Sequence, residues 1–343
     1  MNLYISGTGA VNGGLSLKND NSEGKNSPEF QVIRCVEPDY KKYIDPRFSR
    51  RLSRIIKMSL YAAQTALNGA DVSVPDGIIT GTSLGCLVDT GKFLNSMIEE
   101  NESLSSPSAF IQSTHNSISS QIAIAIGCNG YNSTYTNRGF SFESAVIDAM
   151  LQIEEDSSAG FLVGASDEIT DELLCILANL RSGKHSGYNS DNNYNQLFPY
   201  GEGTAYFYMS GEKTDKSFCK ITSVKIISPA GRYSGLAQML DNALSLSGVD
   251  LHDVDLVMSG SSDPDDAVII SGIFSGAGVV MYKKYCGEYL TSASFALWLS
   301  CFILKNGAGR DFLDAGEISV PGKILIFNCF ENKYVSLMTV ENV

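Results

Sequence analysis

Histidine is scarce in this chain. Its 343 residues include only His115, His185 and His252. None stands in a recognisable catalytic motif, and a general base needs a placed partner. His185 sits in a polar stretch and His252 in an acidic turn, where surface or capping roles are expected. Paired cysteines are also lacking. Cys35, Cys86, Cys128, Cys175, Cys219, Cys286, Cys301 and Cys329 are scattered, with no Cys-x-x-Cys and no clustered Cys/His spacing. That argues against zinc. It reads as reduced, mostly buried thiols in a cytoplasmic protein. No apolar run approaches the roughly 18 residues of a membrane span. The opening MNLYISGTGAV has neither a basic region nor a long apolar stretch, so it does not read as a signal peptide. Basic residues are outnumbered, and the net charge of −13 makes a poor binder of nucleic acid or anionic membrane.

What is present is core-forming. The composition is 43% apolar, enough for two packed cores or one large one. Short apolar runs alternate with helical patterns, which predicts α/β layers. Leu3–Ser6, Gly77–Thr80, Phe161–Gly164 and Thr204–Met209 read as strands. Arg51 to Leu67 reads as a helix stopped by Gly69. Further helices are expected over Ile118–Ile126, Ser141–Ile153 and Ser292–Leu304. Lys18–Ser27 and Ser182–Gln196 read as surface loops.

A weak internal repeat organises these elements. Ala66 to Ser83 and Ala243 to Ser262 both read helix, glycine turn, acidic loop, apolar strand and small polar tip. Asp76-Gly-Ile-Ile-Thr-Gly81-Thr-Ser83 overlays Asp255-Leu-Val-Met-Ser-Gly260-Ser-Ser262. The expected organisation is a pair of related halves, residues 1–215 and 216–343.

Two local features bear on function. Arg47, Arg50, Arg51, Arg54 and Lys57 cluster in an otherwise acidic chain. They read either as a solvated helix start, pairing with acids such as Asp45, or as a docking patch for an acidic partner. The second feature is TYTNRGFSFESA, from Thr134 to Ala145, a short strand turning into a helix near Phe140. Taken alone, Gly139 is a turn glycine suited to a strained elbow.

Together these segments resemble β-ketoacyl synthases. Tyr4-Ile-Ser-Gly-Thr-Gly-Ala-Val11 is similar to the family's V-I-T-G-x-G-x-V. Arg50-Arg-Leu-Ser-Arg54 resembles R-R-M-D-R. Ile79-Thr-Gly-Thr-Ser-Leu-Gly85 resembles I-G-T-G-x-G, and Asn116-Ser-Ile-Ser-Ser-Gln-Ile-Ala123 resembles N-x-x-A-G-x-I-A. Gly164-Ala-Ser-Asp-Glu168 resembles A-G-G-x-E, and Tyr200-Gly-Glu-Gly-Thr-Ala205 resembles L-G-E-G-A. The resemblance implies a thiolase-like fold, duplicated α/β halves layered α-β-α-β-α.

The same resemblance marks what has been lost. Laid on the family's elbow, Thr134 and Ala145 match and the nucleophilic cysteine falls on Gly139. The family's two histidine positions fall on Ser259 and Glu288. Its C-terminal glycine-rich loop is reduced to Asn328-Cys-Phe-Glu-Asn332. Phe140, Asn328 and Phe330 are then expected to line or gate the pocket. Cys86, Cys301 and Cys329 are candidates to approach it, with inert burial as the alternative. Glu143 and Glu288 are candidates for a paired-carboxylate site.

The implied function is a non-catalytic partner of a ketosynthase, of the chain-length-factor type, in fatty-acid, polyketide or aryl-polyene synthesis. The alternative is an active 3-oxoacyl-carrier synthase or malonyl-thioester decarboxylase using replaced groups. A homodimeric ligand-binding protein is a third class. The expected partners are acyl carrier protein, docking at Arg47, Arg50 and Arg51, and a ketosynthase subunit or a second copy. Asn132–Asn137 is expected at that two-fold interface, with Tyr135 as an anchor and His115 nearby. No cofactor or metal is implied.

Overall fold

The computed structural model describes residues 2–13, 31–101, 107–181, 198–227, 235–261, 266–306, 321–330 and 334–343. The surface loops expected over 18–27 and 182–196, with His185, lie outside them. So do Ser262, the last residue of the second repeat, and Asn332.

Apolar runs and helical patterns resolve into two successive α/β units. The first contains β1 (Leu3–Val11), β2 (Val32–Ile33), α1 (Pro46–Ser49), α2 (Arg54–Ala70), β3 (Gly77–Gly81), α3 (Leu87–Glu99), α4 (Pro107–Ser113), α5 (Ser117–Ile126), β4 (Tyr131–Tyr135), α6 (Ser141–Glu155), β5 (Gly160–Asp167), α7 (Asp171–Arg181), β6 (Tyr200–Gly201) and β7 (Gly203–Ser210). The second contains β8 (Cys219–Ile227), α8 (Leu236–Ser247), β9 (Leu256–Gly260), α9 (Asp266–Ile273), β10 (Gly278–Met281), α10 (Lys283–Cys286), α11 (Ala293–Asn306), β11 (Lys323–Phe330) and β12 (Tyr334–Asn342).

Ten strands form one sheet in the order β10-β9-β11-β12-β8-β1-β7-β5-β3-β4, and β2 and β6 form a separate parallel pair. Outward from the β1–β8 seam, one unit reads β1, β7, β5, β3, β4 and the other β8, β12, β11, β9, β10. The pairing senses repeat as well. The two inner ladders of each unit are antiparallel and the two outer ones parallel. The strands at the heart of the sequence repeat, β3 and β9, hold matching places. Parallel strands covered on both faces should be apolar throughout, and every residue of β3 and β9 is buried.

The helices complete five layers, α-β-α-β-α. On one outer face α2 packs on β1, β5 and β7. Between the two parts of the sheet, α6 touches β3, β4, β5 and β8, while α11 touches β9 and β11 as well as β1 and β7. On the other outer face lie α8 and α9. The central core therefore mixes both units, with Phe142, Val146, Phe207, Phe295 and Leu297 all buried.

Two expectations for α2 are corrected. It begins at Arg54, not Arg51, because Ser53 is extended and separates it from α1. It also runs past Gly69 to Ala70, and Asp71 supplies the left-handed stop at φ 61°. Close packing explains the glycines here. A Cβ on Gly7 would lie 2.0 Å from the Ala66 carbonyl oxygen, and one on Gly9 would lie 2.1 Å from that of Ala62. The Gly-Thr-Gly of β1 is thus the seat of α2.

No described helix is long and apolar enough to cross a membrane. No group of three or more His, Cys, Asp or Glu among the described residues is placed to hold a metal ion.

Candidate functional site

The elbow lies between β4 and α6, where Arg138–Phe140 forms one turn of 3-10 helix. The strained residue is not Gly139, as expected, but Arg138, at φ 47°. A left-handed non-glycine residue costs about 1 kcal/mol or more. The turn is held because the Arg138 carbonyl accepts hydrogen bonds from the hydroxyls of Ser83 and Ser141.

Gly139 is buried, and its missing side chain is matched by a neighbour. A Cβ there would lie 2.6 Å from Cδ2 and 2.8 Å from Cγ of Phe330. The Phe330 ring packs edge-on to Phe140, with centroids 6.2 Å apart. The space into which a nucleophilic side chain would project is therefore aromatic.

Below the ring, side chains from both units form a polar network. Asn328 Nδ2 donates to the Gly139 carbonyl (3.0 Å) and to Glu143 Oε1 (2.9 Å). Ser336 Oγ donates to the same carboxylate oxygen at 2.6 Å, and the Tyr282 hydroxyl donates to Asn328 Oδ1 at 3.4 Å. Glu143 Oε2 is buried without a hydrogen-bond partner. Burial pushes this carboxyl up, against the pull of Ser336, Asn328 and the Lys283 charge. A proton on Glu143 relieves the cost of a buried charge.

The other two positions have new neighbours. Ser259 is wholly buried in β9 and accepts the Ser261 amide at 3.2 Å. Glu288 meets the buried Lys283, with Nζ 2.8 Å from Oε2 and 3.0 Å from Oε1. Of the expected Glu143–Glu288 pair, Glu143 thus bonds Asn328 and Ser336, and Glu288 bonds Lys283, whose charge also acts on Glu143. Cys86, Cys301 and Cys329 are buried, and Cys301 lies 3.4 Å from Cys219, sulfur to sulfur. Burial pushes the Cys86 and Cys301 thiols up, the reverse of what a nucleophile needs.

Residues 26–181 match the family model described as beta-ketoacyl synthase, N-terminal domain. No curated protein matches the chain. Among solved structures, a beta-ketoacyl synthase from Burkholderia phymatum STM815 superposes with a TM-score of 0.72 at 14% identity, covering 99% of both chains. The ishigamide ketosynthase/chain length factor gives 0.71 at 12% identity, covering 100% of this chain and 99% of that one. A ketosynthase (ApeO) in complex with its chain length factor (ApeC), from Xenorhabdus doucetiae, gives 0.69 at 16%, covering 99% and 98%. The fold is that of a β-ketoacyl synthase.

In this ketosynthase-like chain β4 ends the sheet, and Tyr135 is its last residue, half-buried against the central core. His115 is exposed and lies over Gly85, whose added Cβ would be 3.2 Å from the ring. His252 is also exposed, with its amide held by Asp250. Arg47, Arg50 and Arg51 are exposed, and none makes an ion pair with a described residue. Asp45 accepts the Arg47 amide at 2.7 Å and caps α1, so it does not neutralise their guanidinium groups. Arg54 leaves the patch. It grips buried Glu202 through Nη1–Oε2 (2.8 Å) and Nη2–Oε1 (2.7 Å), and also bonds Glu37.

Two buried acids that the motifs contain had no assigned role. Asp167 accepts from the Ser83 and Leu84 amides and from the Thr82 hydroxyl, while Thr291 reaches it from the second unit at 2.8 Å. Glu168 accepts the Val88 amide at 3.0 Å in the first turn of α3. Burial pushes its carboxyl up to about 7, against the Val88 amide, with Glu202 adding to the rise. The fold therefore holds the Glu168 proton more tightly than the unfolded chain does. Its stabilising effect is complete below the ordinary carboxylate range and is lost as pH rises through about 7. The loss amounts to about 3 kcal/mol. Glu168→Gln keeps the acceptor and cannot ionise. It is expected to melt above the wild type at pH 8, with the gap closing toward pH 5 in calorimetry. An equal gap at both pH values would refute ionisation as the cause.

Proposed function

We propose that this chain is a non-catalytic partner of a ketosynthase, of the chain-length-factor type. The observation that carries the reading is the Phe330 ring filling the space beside Gly139. Ser259 and Glu288, in place of the family's histidines, support it. An imidazole is what takes and returns protons near neutral pH. A buried serine hydroxyl and a lysine-paired carboxylate do neither. Structural likeness to ketosynthase and chain length factor complexes agrees with the reading.

Pairing is proposed at β4. An unpaired edge strand is a template for another chain, and among the described residues β4 pairs only with β3. Exposed Tyr131 and Ile124 beside it give that edge apolar surface. Fatty-acid, polyketide or aryl-polyene synthesis is the proposed setting, with acyl carrier protein docking at Arg47, Arg50 and Arg51. Co-expression with an intact ketosynthase tests the reading and is expected to give a one-to-one complex by light scattering. Tyr135→Asp is expected to abolish that complex while the variant still melts cooperatively. A wild-type chain that makes 3-oxoacyl thioesters with no second protein present would overturn the proposal.

A further inference from the structure

The edge at β4 carries a buried charge with no counterpart nearby. Asp148 sits on α6, which packs against β4, and is only 6% exposed. Its hydrogen bonds come from neutral groups, the Tyr131 hydroxyl at 3.0 Å and the Gln152 side-chain amide at 3.3 Å. Tyr131 and Tyr135 share one face of the strand. Burial first, and then the Asp148 charge, push the Tyr135 hydroxyl up. A carboxylate that reaches both tyrosines lies under the middle of β4. Among the described residues no Lys or Arg pairs with it. From Ser117 to Glu155 the charged residues are Arg138, Glu143, Asp148, Glu154 and Glu155. Glu143 turns inward to Asn328 and Ser336, and Glu154 and Glu155 are exposed at the end of α6. Arg138, the one base, is exposed beyond the end of β4.

The surface around Asp148 is apolar. Ile124, Tyr131 and Leu151 are exposed, and Ile147 is half-buried. A partner laid along β4 covers that surface and shuts Asp148 off from water. A carboxylate so enclosed is costly unless the partner brings an opposite charge.

A second copy brings the wrong one. Two copies joined antiparallel through β4 are related by a two-fold axis perpendicular to the sheet. That axis keeps both α6 helices on the same face of the joined sheet. A group under the middle of one strand then meets its own twin. Two Asp148 carboxylates would face each other across the axis, and like charges so placed oppose one another. Each Arg138 would stand toward an end of the paired strands.

We propose that Asp148 selects the occupant of this edge, a ketosynthase subunit presenting a lysine or arginine from its matching helix, over a second copy of this chain. This inference rests on the pairing proposed above and adds the charge that decides between partners.

The probes are two intact type II ketosynthases, one with Lys or Arg at the position matching Asp148 and one with a neutral residue there. Each is titrated onto the full chain. Wild type is expected to bind the first at least tenfold more tightly, and to sediment as a monomer by itself. Asp148→Asn keeps an acceptor for Tyr131 and removes the charge. It is expected to lose that preference and to self-associate at least tenfold more tightly than wild type. Asp148→Ser serves if the asparagine variant melts below wild type. If wild type binds both ketosynthases equally and the variants change neither affinity, the selection is wrong and the pairing stands. If wild type alone is a dimer that Asp148→Asn weakens, Arg138 of a second copy supplies the cation and the selection is reversed. If wild type binds neither ketosynthase, both readings are wrong.

Discussion

Gly139→Cys alone is expected to yield no acyl-enzyme. The new side chain would enter a space whose nearest ring carbon lies 2.6 Å from its Cβ. Overpacking of this kind costs about 1–3 kcal/mol, and either the thiol or Phe330 must be displaced. Adding Phe330→Ala removes the obstruction. In the double variant, iodoacetamide is expected to modify residue 139, read by peptide mass spectrometry against the naturally exposed Cys175. Condensation is still expected to be absent. Ser259 cannot accept a proton as an imidazole does, and Glu288 is held by Lys283. In a well-studied hydrolase, loss of one triad member removes about 10⁴–10⁶-fold of the rate. Labelling of the single variant at the rate of Cys175 would show that the Phe330 ring does not close the site.

The largest loss of stability is expected from Glu202→Ala. Glu202 is fully buried and carries the Arg54 fork, and it also accepts the Cys35 amide at 3.0 Å and the Ile169 amide at 3.2 Å. Its removal orphans two buried donors and leaves the Arg54 guanidinium group with Glu37 alone. Breaking one side of a buried pair costs about 3–5 kcal/mol. Urea denaturation reads this directly, and Glu202→Gln should recover part of it by retaining an acceptor. A loss under about 1 kcal/mol would mean that Glu37 alone holds Arg54, with little owed to the burial.

Much of the architecture is legible in local pattern. Buried parallel strands read as unbroken apolar runs, so β3 and β9 declare themselves, and their shared grammar exposes the duplication. The glycines of β1 are equally visible, although their purpose, seating α2, emerges only in the packing. What escapes the sequence is partnership over long separations. Phe330 meets Gly139 and Glu202 meets Arg54 across more than a hundred residues, and spacing carries no trace of either contact. Arg54 looks like one more member of a basic run until α2 turns it away from Arg50 and Arg51. Glu143 and Glu288 read as candidate partners, but no spacing announces that Asn328 and Ser336 bond the first and Lys283 the second. At Gly69 a local stop signal is overridden by the close approach of α2 to β1. At the elbow, hydroxyl groups of Ser83 and Ser141 hold Arg138 in a backbone state that composition assigns to its neighbour.

The seam between β1 and β8 has a consequence for a chain still on the ribosome. β1 comprises Leu3–Val11, yet both of its strand partners, β7 and β8, lie about two hundred residues downstream. At about 5–20 residues per second, the first strand waits roughly 10–40 s for either neighbour. Only α2 arrives early, and it covers one face of β1 without satisfying the backbone along its edges. The centre of the finished sheet therefore closes only once the whole first unit has been made, and β1 is, for more than half of the synthesis of this sequence, an open edge.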